Sequence, residues 1–78
     1  MDYFGLIGTN GMGVMDSLDK VNKCRKHLHD LTICRFDSFV VAEAWTRFAF
    51  AKLHPKAERP VSLKRNQILF TVSHLDIH

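Results

Sequence analysis

The chain has little cysteine, little proline and no long apolar run. Its two cysteines, Cys24 and Cys34, could close at most one disulfide, which does not describe a disulfide-stapled secreted scaffold. No apolar stretch approaches the ~20 residues that a membrane span needs. The opening Met-Asp-Tyr-Phe-Gly carries an acidic second residue and no apolar signal region. Together these absences predict a cytoplasmic protein with reduced thiols and no membrane contact. Neither sign of charge dominates: 11 Lys and Arg face 8 Asp and Glu, a formal net charge of +3. Such a balance permits a nucleic-acid partner without demanding one. There are no internal repeats and no low-complexity segments.

What is present is an apolar chain of 78 residues, 46% hydrophobic, which fits a folded domain. One core of this size is worth only about 3–5 kcal/mol net. Its most apolar stretch, Phe39 to Leu53, holds the single Trp and three of the six Phe. The spacing of Val41, Trp45, Phe48 and Lys52, with Val40, Ala44 and Ala51 beside them, predicts a helix buried along that side. Glu43, Thr46, Arg47 and His54 form the polar stripe, and Phe50 falls on it. Asp37-Ser38 supplies an N-cap, and Pro55 ends the helix.

Before this helix, Tyr3–Ile7 reads as a strand. Gly8-Thr9-Asn10-Gly11-Met12-Gly13 is a turn with glycines suited to positive φ, and Gly13-Val14-Met15 returns as a second strand. The glycine run has neither dinucleotide-loop nor Walker spacing. Asp16 or Ser17 caps a helix over Leu18–His29 that buries Leu18, Val21, Cys24 or Arg25, and Leu28. Lys20, Lys23, Lys26 and His27 lie opposite, either as solvated surface or as a phosphate-tracking face. Leu31–Phe36 alternates as a half-buried third strand.

After Leu53 the segment 54–66 holds both prolines and Lys56, Arg59, Lys64 and Arg65; it reads as an extended linker. Ile68–Val72 reads as a fourth strand or a docked arm. An apolar strand of this kind needs a partner edge, its own or another chain's. The expected division is an α+β body over 1–54 and a basic linker with a C-terminal arm over 55–78.

Two chemical constellations are weak. Cys24, His27, His29 and Cys34 are zinc-ligand types, but C-x2-H-x-H-x4-C is no common knuckle, and the helix sends the two histidines to different sides. The carboxylates are scattered, and neither cysteine has an evident base. No enzyme, cofactor or metal is therefore expected.

The order of elements, with its residues, resembles the hybrid-binding domain at the N-terminus of eukaryotic ribonuclease H enzymes, also found in caulimovirus viroplasmin. The resemblance runs from Tyr3 to Trp45. It rests on Tyr3-Phe4, Gly13-Val14-Met15, Ser17, Arg35-Phe36-Asp37-Ser38-Phe39 and Glu43-Ala44-Trp45. It implies a small three-stranded antiparallel sheet with two helices packed on one face, here with a C-terminal extension able to add a strand. It also implies binding of RNA–DNA hybrid or double-stranded RNA through the minor groove. Tyr3 and Arg35 match family positions, and Lys20, Lys23 and Lys26 add the basic helix face. The family has an aromatic where Leu18 stands and basic residues where Asp37 and Ser38 stand, and the loop before Glu43 is one residue short. The alternative is thus a protein-interaction module on the same fold. In that reading Phe50, Ile68, Phe70 and Val72 contact another chain or a second copy.

Overall fold

Two short strands, β1 (Tyr3–Gly8) and β2 (Gly11–Met15), form an antiparallel hairpin around Thr9-Asn10. The computed structural model describes residues 1–56 and 62–70. A helix, α1 (Leu18–Cys24), leads to β3 (Thr32–Phe36), and α2 (Phe39–Leu53) follows. A last strand, β4 (Ile68–Phe70), closes one antiparallel sheet in the order β3-β1-β2-β4. The fold is a small α+β domain. The sheet has four strands rather than three, because the C-terminal segment adds to its own sheet beside β2.

Strand alternation explains the layering. Phe4, Leu6 and Met15 point to one side and pack with Val21, Cys24 and Leu28. Ile7, Met12 and Val14 point to the other and pack with Ala42, Phe50 and Leu63. Both central strands are therefore apolar on both faces, and each face requires a cover. The helices take opposite faces, α1 on one and α2 on the other, and not the single face expected.

Both helices start at serines. Ser17 Oγ accepts from the Lys20 amide at 3.3 Å, and Ser38 Oγ from the Val41 amide at 3.5 Å, each satisfying an orphan donor of the first turn. α1 is shorter than the expected Leu18–His29. Its end is held by the hairpin turn: Asn10 Nδ2 donates to the His27 carbonyl at 2.8 Å, and Asn10 Oδ1 accepts from the His29 amide at 3.0 Å. This folds Leu28 into the core while Leu18 stays exposed.

α2 has the expected bounds but is turned about its axis: Trp45 packs against the core as expected, while the expected polar stripe is split, with Thr46 buried and Arg47 exposed. Ala42, Thr46 and Phe50 are buried; Val40, Val41 and Phe48 are exposed. The Thr46 hydroxyl donates to the Ala42 carbonyl at 2.7 Å, so this polar side chain enters the core without an unmet hydrogen bond. Gly5 lets that face approach, since a Cβ there would lie 2.7 Å from Trp45 Cε3. No described glycine has positive φ; that conformation falls to Asp30 and Asn66. The glycines serve close approach instead: at Gly13 a Cβ would stand 2.8 Å from the Gln67 carbonyl oxygen.

The segment expected as linker and arm contributes to this same core. Leu63 is 3% exposed, and its amide donates to Glu43 Oε2 at 2.6 Å. Asn66 then reverses the chain with φ of 63°. Its side chain accepts from the Asp16 amide at 2.9 Å and donates to the Asp16 carboxylate at 3.0 Å. β4 leaves from this clamp.

Candidate binding surfaces

The residues expected to hold nucleic acid do not form one site. Tyr3 lies on the α2 side of the sheet, opposite Phe36 in the β1–β3 register; Arg35 is paired with Phe4 and so lies on the α1 side. The Tyr3 ring meets Phe39 edge-on at 5.8 Å. The Arg65 guanidinium stands 5.8 Å from the centroids of both rings. This cation–π cluster engages the ring within its own chain. Arg35 is paired with Asp2 at 3.8 Å, and Lys20 with Asp16 at 2.9 Å. Surface pairs of this kind hold a side chain only weakly. Lys23 and Lys26 are exposed on α1 and the turn after it, with Arg25, His27 and His29 near them in the chain. The structure thus gathers Lys20, Lys23 and Lys26 around α1 and separates them from Tyr3.

Asp16 is more than a counter-ion. Hydrogen bonds from Asn66, then from Lys20, hold its carboxyl below the ordinary value of 3.8 by favouring the charged form. Burial pushes the Cys24 thiol up, away from the thiolate that a nucleophile or metal ligand requires. Cys24 and Cys34 face opposite sides of the sheet by register and cluster. Among the described residues no group of three His, Cys, Asp or Glu side chains is placed to hold a metal ion. No helix among them is long and apolar enough to cross a membrane.

The residues expected to meet a partner divide as well. Phe50 is a core residue at 2% exposure, because it shares with Ala42 and Thr46 the side of α2 that is packed on the sheet. Ile68 packs against the α1-side core. Phe70 and Leu69 remain partly exposed on β4, and Val72 lies outside the described residues.

Residues expected in the core form an exposed surface in their place. Along the outside of α2, Val40 is 70% exposed, Val41 52% and Phe48 69%. Ala44 is exposed among them, and Ala44, Arg47, Phe48 and Ala51 line a hollow of about 180 Å³. The spacing at 40, 41, 44, 48 and 51 carries its signal, since one helical side is apolar there whether it faces the core or a partner. No protein-family model, curated protein or solved structure matches the chain.

Proposed function

We propose that the chain is a non-catalytic binding module that docks on another protein through the outer face of α2. The observation that supports this is the exposure of Val40, Val41 and Phe48 on one side of a helix whose other side is already buried. Contiguous exposed apolar surface of this kind marks interaction sites in folded proteins. The sheet beneath fixes the helix through Gly5, Trp45 and Thr46, so the face is presented rigidly and little ordering accompanies binding. The test is site-specific photocrosslinking in the cells that express the protein. Benzoylphenylalanine at position 48 is expected to give a discrete protein adduct, and the same group at position 22, on exposed α1, is not. No adduct from position 48, or the same adducts from both positions, would refute the reading.

A second reading is supported by a different surface. Lys23 and Lys26 are exposed on the opposite side of the sheet from α2 and have no ion-pair partner among the described residues. They are the basic positions available to the phosphates of an RNA–DNA hybrid or double-stranded RNA. On this reading affinity falls with salt, by a log–log slope of about 0.9 per neutralised phosphate. Reversing Lys23 and Lys26 to Glu abolishes it. Salt-independent binding, or no loss in the double variant, would reject it. Because the two surfaces lie on opposite sides of the sheet, each can be tested while the other is intact.

A further inference from the structure

The outer face of α2 has the spacing of a coiled-coil seam. Val41, Ala44, Phe48 and Ala51 recur at intervals of three, four and three, the alternation of the a and d positions of a heptad. Ala42, Thr46 and Phe50 lie on the other side, in the core. In this register Arg47 occupies a g position and Lys52 an e position, the flanks that choose partners in coiled coils. Both are exposed, and neither has an ion-pair partner among the described residues. Glu43, the carboxylate of the helix, is turned away to the Leu63 amide. The seam is thus apolar along its middle and, beyond Val40 and Trp45, carries one cation on each flank, Arg47 on one and Lys52 on the other.

We infer that this seam takes an amphipathic helix of a different protein, one with large aliphatic or aromatic side chains on its apolar stripe and Asp or Glu beside it. This rests on the docking face proposed above and names the chemistry of its occupant. Size complementarity favours large side chains. The seam offers alanine at both d positions, and the hollow at Ala44 and Ala51 measures about 180 Å³. An apolar cavity of about 150 Å³ holds a benzene ring. Charge favours acidic flanks, and it disfavours a second copy of this chain. In a parallel pair the g position at Arg47 meets the e position at Lys52 of the other copy. In an antiparallel pair centred on Ala44 and Phe48, Arg47 meets Arg47 near the two-fold axis. Either arrangement opposes like charges, which selects against self-pairing.

The probes are two synthetic three-heptad peptides with leucine at a and d, one with Glu and one with Lys at every e and g position. Like charges on both flanks keep each peptide from pairing with itself. Binding to the full chain is followed by calorimetry at low salt, beside sedimentation of the chain alone. The acidic peptide is expected to bind about tenfold more tightly than the basic one, the scale of two exposed pairs changed from attraction to repulsion. Arg47→Glu with Lys52→Glu should invert that preference. Phe48→Ser should abolish binding with the circular dichroism spectrum unchanged. Equal binding of the two peptides would overturn the proposed partner chemistry and leave the docking face standing. So would a concentration-dependent dimer that Phe48→Ser dissolves, since a second copy would then be the occupant. Binding of neither peptide by a monomeric chain would overturn this inference and remove the support for the docking face.

Discussion

Two phenylalanines two residues apart on α2 should behave in opposite ways. Phe50 is 2% exposed and packs among Ile7, Met12, Val14, Ala42 and Leu63. Truncating a buried Phe to Ala costs about 3–5 kcal/mol, the transfer loss plus the cavity left behind. A single core in a chain this small supplies about the same net stability. Phe50→Ala should therefore be largely unfolded at 25 °C. Phe48 is 69% exposed. Full burial of such a side chain is worth about 1.5–3 kcal/mol, so the third of it that is covered is worth at most about 1 kcal/mol. Phe48→Ala should fold with nearly unchanged stability and with less apolar surface for non-specific association. Urea unfolding of both variants, followed by far-ultraviolet circular dichroism and Trp45 fluorescence, measures the difference. If Phe48→Ala unfolds and Phe50→Ala does not, α2 lies the other way round and the reasoning on its outer face fails.

Further outcomes follow from the same contacts. Gly5→Ala should destabilise by about 1–3 kcal/mol in urea titration, the usual cost of overpacking, because the new methyl would meet Trp45 and Thr46. A measured gain would show that α2 does not approach β1 so closely. Removing residues 62–78 should abolish cooperative unfolding, since Leu63 leaves the core and β2 loses β4; a cooperative melt of the shortened chain would contradict this. Asp16 has a folded-state pKa lowered first by Asn66 and then by Lys20. Its contribution is complete above the ordinary carboxylate value and is lost as pH falls through the lowered one. The native chain should thus lose stability on acidification below about pH 4 more steeply than Asp16→Asn, and parallel pH profiles of the two would refute the role given to the clamp.

Much of the fold is written locally. Ser17 and Ser38 mark helix starts because a short hydroxyl after extended backbone satisfies first-turn amides. The alternation in Leu31–Phe36 marks a strand because its two sides meet different layers. The orientation of α2 is not local. Phe39–Leu53 is apolar nearly all round, so rotating it changes its hydrophobic pattern very little. What decides the matter is a pair of distant partners, the bare backbone at Gly5 and Leu63 arriving twenty residues later, together with the Ala42 carbonyl that takes the Thr46 hydroxyl inside the helix. A threonine can enter a core once its hydroxyl is satisfied within the helix, so Thr46 does not mark the solvent side as Arg47 does. The same limitation hid the arm. Asn66 is a surface residue in composition, and its place beside Asp16, fifty residues earlier, becomes visible only in the folded chain.

The central claim is that the outer side of α2 is where this domain meets its partner. The most direct test is an amide chemical-shift map of the full chain titrated with the acidic leucine-seam peptide. The account predicts that the resonances of Val40, Val41, Ala44, Arg47, Phe48 and Ala51 move together and saturate, while those of Asn22, Lys23 and Lys26 on the α1 side stay in place. Shifts confined to the α1 side, or no saturable shift along α2, would contradict it.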